Sequence, residues 1–191
     1  MSKIVIIGCA RSGMEDATEL IKSLGYDFRN EDEQAENGFS SWFHVVEKKK
    51  ENELFFHQVK NPIKVISTLN TISPKSWEFI KEHIKMDENY SPLQMAMKYW
   101  IEWNKKAEKK SLFTFQSEQL PTAIKNMFEV AEFEEPKMFD INMAFYGRAK
   151  NQGVESASEF KEINADDLKN ADEKLYKEVI KLSQKYGYGS L

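Results

Sequence analysis

Residues 4–7, Ile-Val-Ile-Ile, form an unbroken apolar run that stops at Gly8. A short run with no polar alternation predicts a strand buried on both faces, the kind found inside a parallel sheet covered by helices. The next residues narrow the choice. Gly8-Cys-Ala-Arg-Ser-Gly13 reads as a tight loop, and Ala17, Leu20, Ile21 and Leu24 then recur at helical spacing until Gly25. Strand, glycine-bounded loop and helix in succession predict a unit in which backbone N–H groups gather at a helix start, a natural place for an anion.

The alternation continues along the chain. GYDFRNE (25–31) holds a short second strand, and 38–50 reads as a helix with Phe39, Trp42, Phe43 and Val46 on one side. Leu54 to Val59 is the next strand, and Pro62 opens a helix in which Val65, Ile66 and Leu69 line up. Ser73-Pro74 and Ser91-Pro92 each pair an N-cap with a proline at the first helical position, opening helices over 73–85 and 91–110. A last strand is expected over 111–116, a helix after Pro121 and, beyond an irregular stretch (132–163), one long helix over 165–186. Together these predict an α/β fold with a mainly parallel sheet flanked by helices, in three α/β/α layers. With no repeat or linker, residues 1–191 are expected to form a single domain.

Charge and cysteine usage exclude several classes. A net charge of −4 argues against a general nucleic-acid partner, and the basic runs at 48–50 and 105–110 fall at predicted helix ends, where they complement the dipole. Cys9 is the sole cysteine, so no intrachain disulfide can form. The apolar run at the start is too short for a leader or a membrane span, so a cytoplasmic protein without a membrane partner is expected. Oligomeric state is not legible.

In parallel sheets ligands sit beyond the carboxyl ends of the strands. That singles out the 8–13 loop, the turn near Glu31 and the VKNP turn at 59–62. The nucleotide pattern G-x-x-x-x-G-K-[ST] is not met, because Met14-Glu15 stand in place of Lys-Ser/Thr, and G-x-G-x-x-G is absent. Two readings of the loop stay open. It is an anion cradle carrying Arg11, Ser12 and Gly13, or a plain turn whose Glu15 and Asp16 satisfy the helix dipole themselves. Lys60, Ser67 and Thr68 likewise either converge on a phosphate or remain ordinary surface groups. The four tryptophans and Tyr99 suit core packing, with one or two free to wall an acceptor pocket, and Ser40 and Ser41 either reach an acceptor or, the favoured reading, cap the helix. His57, in an apolar strand, is expected to be a hydrogen-bonded core histidine. Three scattered histidines and one cysteine lack metal-ligand spacing.

Taken in order, GCARSG, LGYDFRNE, GFSSW, HQVKNPIKVIST, YWIEWNKKAE and FTFQSEQL resemble the bacterial and phage sulfotransferase-like proteins over most of residues 3–120, and the terminal KYGYG fits as well. The resemblance implies a P-loop NTPase/sulfotransferase-like fold and 3′-phosphoadenosine 5′-phosphosulfate (PAPS) as co-substrate, with no metal. It implies sulfuryl transfer to a hydroxyl acceptor, a small molecule or a saccharide. It assigns Arg11, Ser12 and Gly13 to the 5′-phosphosulfate, and Lys60 to a position usually held by arginine. Thr68, with Ser67 beside it, takes the donor-binding serine's place, and Arg148 with Lys150 falls in the late loop over the 3′-phosphate. For catalysis, Arg11 would neutralise the leaving group and Glu31 is the first candidate base, His44 the second. Met14 and Glu15 replace the family's hydroxyl residues, and Asn30 replaces a histidine. Those departures keep a second function in view, a diverged non-catalytic binding or structural protein. A nucleotide-dependent kinase comes third, opposed by the missing Gly-Lys-Ser/Thr.

Overall fold

A computed structural model describes residues 2–134, 141 and 163–189. β1 (Lys3–Gly8) is the centre of a five-stranded parallel sheet of order β2–β3–β1–β4–β5, with β2 (Phe28–Asn30), β3 (Gly38–Ser41), β4 (Glu53–Val59) and β5 (Thr114–Gln116). Successive side chains on a strand point to opposite faces. Ile4 and Ile6 of β1 therefore pack with α1 (Met14–Ser23) and α5 (Leu120–Ala131). Val5 and Ile7 pack on the other side, with α2 (Pro62–Thr68), α4 (Pro92–Lys110) and two C-terminal helices, α6 (Ala165–Ala171) and α7 (Glu173–Lys185). The result is a three-layer α/β/α fold. α3 (Pro74–His83) follows the cap at Ser73, and α4 begins with a full capping box between Ser91 and Gln94.

Four expectations need correction. Residues 38–50 do not form a helix: β3 comes first, then a single 3-10 turn at Phe43–Val45. Gly38 lies so close to β1 that a Cβ there would stand 2.0 Å from the Ile4 carbonyl oxygen, so this backbone is committed to the sheet. Ser40 and Ser41 accordingly sit in a strand and cap no helix start, although Ser41 Oγ accepts from the His44 N–H at 3.3 Å. The expected C-terminal helix is two helices, broken where Asp172 adopts extended backbone and its carboxylate accepts from the Leu175 N–H at 2.9 Å. The last strand is shorter than expected, because Ser111 closes α4 before β5 begins at Thr114. Of the stretch read as irregular, residues 135–140 and 142–162 lie outside the described residues.

Trp100, Trp103 and Tyr99 of α4 are fully buried against the sheet, as core packing requires. Trp42 and Trp77 are half-buried at its margin.

Candidate functional site

The chain leaves β1 toward β2 and leaves β4 toward β5, on opposite sides, so a crevice opens at the carboxyl ends of these two neighbours. A cavity of about 470 Å³ occupies it. The loop after β1 is held from beneath: the Ala10 N–H donates to Tyr99 Oη at 2.9 Å, and Gln58 Nε2 donates to the Ser12 carbonyl at 3.0 Å. The Ser12 N–H closes a turn onto the Cys9 carbonyl at 3.1 Å. Gly13, at φ 87°, then caps α1 in a left-handed conformation that favours glycine. Met14 and Glu15 begin the helix, where no preceding carbonyl awaits their N–H groups.

Two cations converge here. The Lys60 ammonium lies 3.8 Å from where a Cβ on Gly13 would stand. Arg11 Nη2 donates to Thr71 Oγ1 at 3.0 Å, bridging the loop to the turn after α2. Arg11, Gly13 and Lys60 all line the cavity. Ser12 does not: its hydroxyl is buried 3.0 Å from the Cβ position of Gly8 and lacks a hydrogen-bond partner among the described residues. Gln58 Oε1, equally buried, also lacks one among them. Ser67 and Thr68 turn back onto their own helix, donating to Ile63 O at 2.6 Å and Val65 O at 2.9 Å, and neither lines the cavity. Thr71, Ser73 and Ser76 are the hydroxyl residues that line it, and nothing in the sequence marked them out for that place. Arg148 and Lys150 lie outside the described residues.

Across from the loop stands Glu31, after β2. With β3 between, β2 is two strand spacings, roughly 10 Å, from β1. Glu31 is held at φ 54°, and Arg11 at φ 69°. The third non-glycine residue of positive φ among those described, Glu132, merely ends α5. Left-handed backbone costs such residues about 1–2 kcal/mol, and here it aims both side chains at the cavity. The Glu31 carboxylate accepts a short hydrogen bond from Ser41 Oγ and another from the Trp42 N–H at 3.1 Å. Partial burial outweighs these two bonds and raises its pKa above the ordinary glutamate value.

His44 does not line the cavity; it stands behind Glu31, with Nδ1 3.0 Å from the same Ser41 Oγ. The first and second candidate bases are thus members of one chain. Its far end is Glu33, 3.7 Å from His44 Nε2 and ion-paired with Lys50, which holds the Glu33 carboxyl below its usual range. His57 is a core histidine, as expected. Nδ1 bonds Thr114 Oγ1 at 3.0 Å and Nε2 bonds Asn104 Oδ1 at 2.9 Å, and burial lowers its pKa to about 4.

Met14 is buried and packs into the core between α1 and α5, whereas Glu15 and Asp16 face the cavity with Glu31. Two cations and three carboxylates thus line it, so its formal charges do not add up to a positive field. Trp42 supplies an aromatic wall. Among the described residues no group of three or more His, Cys, Asp or Glu is placed to hold a metal ion, and no helix is long and apolar enough to cross a membrane. Compared with known proteins, the chain matches no family model, and no curated protein is similar enough in sequence to show kinship.

Proposed function

We propose that this cleft binds the phosphosulfate end of PAPS and transfers its sulfuryl group to a hydroxyl acceptor. The observation that carries the reading is that Arg11 and Lys60, from the segments that follow β1 and β4, flank the start of α1 while a carboxylate of raised pKa faces them across the cavity. Arg11, Lys60 and the first N–H groups of α1 fit an anion. Ser67 and Thr68 do not contribute, being bonded within α2.

In the proposed reaction Glu31 removes the acceptor's hydroxyl proton as the acceptor oxygen bonds to sulfur and the bond from sulfur to the bridging phosphate oxygen breaks. The negative charge left on that phosphate is met by Arg11 and Lys60. A carboxyl with raised pKa is the better base for a hydroxyl, provided the pH keeps it ionised. Trp42 offers an apolar face suited to a sugar ring or another flat acceptor.

Calorimetric titration with PAP, the desulfated product, tests the donor site. Wild type is expected to bind, and Arg11→Ala and Lys60→Ala each to weaken binding roughly 10- to 100-fold, the worth of a charged hydrogen bond. Unchanged affinity in both variants would overturn the assignment.

The exposed Glu15 and Asp16 favour a second reading, a diverged member that binds without turning over. Glu15→Thr distinguishes the two. Binding that appears only in Glu15→Thr marks a cradle blocked by its own carboxylate, whereas a sulfated product from wild type eliminates the non-catalytic reading.

A further inference from the structure

Ser41 Oγ has one hydrogen to give and stands between two groups that can take it, Glu31 Oε2 and His44 Nδ1. An ionised carboxylate offers only lone pairs. While Glu31 is ionised, the Ser41 hydrogen therefore goes to Oε2, and the two lone pairs of Oγ are free for the His44 backbone N–H, at 3.3 Å, and for a hydrogen on Nδ1. The neutral imidazole is then the Nδ1–H tautomer.

When Glu31 gains a proton, the Trp42 N–H already occupies Oε1, so the new hydrogen belongs on Oε2 and points at Ser41 Oγ. Ser41 must turn its own hydrogen to Nδ1. The imidazole hydrogen then resides on Nε2, facing the Glu33 carboxylate. The Nε2–H arrangement gives that hydrogen to the Glu33 carboxylate, the Nδ1–H arrangement gives its hydrogen to Ser41 Oγ and leaves a lone pair on Nε2, and among the described residues Ser41 is the link between Glu31 and His44.

We propose that His44 is a positioning residue for Glu31, coupled to it through Ser41: its tautomer changes with the protonation of the carboxylate, and its Nδ1–H holds the ionised form in place. The surroundings fix the ring for this purpose. Glu33 faces Nε2 and is itself paired with Lys50. Lys110 Nζ donates to the His44 carbonyl at 2.8 Å, and the Phe39 ring meets the imidazole edge-on at 4.6 Å between centroids. The role in catalysis rests on Glu31 acting as the base, but the coupling is a property of the free protein.

NMR of the full chain labelled with ¹⁵N-histidine tests it, with the His44 signals assigned by their loss in His44→Asn. The neutral ring is expected as Nδ1–H in wild type. In Glu31→Gln the amide oxygen keeps the Trp42 N–H and the NH₂ turns to Ser41, so the ring switches to Nε2–H. Glu31→Ala, with no acceptor left for Ser41, must give the same switch. Adding Ser41→Ala must abolish the dependence of the His44 signals on residue 31. The same tautomer in wild type and both Glu31 variants overturns the proposal. In turnover, His44→Ala is expected to lower kcat roughly 10- to 100-fold with the donor KM unchanged. His44→Asn, which keeps an N–H near the Nδ1 position, should restore most of the loss. A tautomer switch without any turnover would remove the sulfuryl-transfer reading and leave the coupling standing. A fixed tautomer beside normal turnover would do the reverse.

Discussion

The Arg11 guanidinium donates to Thr71 Oγ1 at 3.0 Å, joining residues 60 positions apart on the rim of the cavity. Thr71 can accept this bond because its own hydrogen is spent on the Thr68 carbonyl, at 2.6 Å. The threonine thus aims a long side chain that would otherwise sample many rotamers.

Thr71→Val keeps the shape and removes the acceptor. Because the pair is exposed, stability is expected to change by less than about 0.5 kcal/mol. Affinity for PAP should fall roughly 3- to 10-fold, the cost of ordering one side chain on binding. Chemical denaturation beside calorimetry checks both, and an affinity equal to wild type would mean that Arg11 needs no such support.

Gly13→Ala combines strain with intrusion. The new methyl would sit at φ 87°, 3.3 Å from Gln58 Nε2 and Asp16 Oδ2 and 3.8 Å from the Lys60 ammonium. A loss of about 1–2 kcal/mol in unfolding free energy is expected, with PAP binding weakened beyond detection. A variant as stable as wild type would show that the loop relaxes at no cost.

Glu31 gives a pH signature. Its pKa is raised in the folded protein, so the folded state takes up the proton more readily than the unfolded chain. The stability this carboxyl contributes is present below the unfolded glutamate pKa and is lost as pH rises through the folded value. Glu31→Gln should therefore gain in urea midpoint relative to wild type as pH rises from the unfolded glutamate pKa, about 4.3, through the folded value. A relative gain in the opposite direction would contradict the raised pKa.

His57 works with the opposite sign. Its pKa falls from 6.5 to about 4 on folding, so the unfolded chain binds the extra proton between those values. Stability should decline as pH drops through that window, by on the order of 3 kcal/mol in total. In His57→Gln the decline over that range should flatten, whatever the variant's stability at pH 7. Parallel curves for the two proteins would show that His57 is not held neutral.

Much of the framework is local chemistry and was legible as such. The Ile4–Ile7 run is too apolar for anything but a doubly covered strand, and Ser73-Pro74 and Ser91-Pro92 carry their helix starts with them. The pattern misled at Phe39, Trp42, Phe43 and Val46, whose spacing is helical although Phe39 lies in a strand and Phe43 in a 3-10 turn. Pairing with β1 at Ile4 and Val5 outweighed that periodicity. Of the site, Arg11, Gly13, Glu31 and Lys60 could be named from their places after strands. Thr71 and the bridging role of Ser41 could not.

What the sequence determined by itself was which segments bury an apolar face and where helices begin, because spacing and caps act over a few residues. Only the tertiary structure decided where each polar group points. Ser67 and Thr68 satisfied themselves on the nearest carbonyls of α2, while Thr71 met Arg11 and Ser41 met Glu31 and His44. A hydroxyl takes whichever partner the fold brings within 3 Å or so: the pairing of β2 with β3 and the turn after it set the partners of Ser41, and the adjacency of β1 and β4, far apart in the chain, brought Thr71 to Arg11.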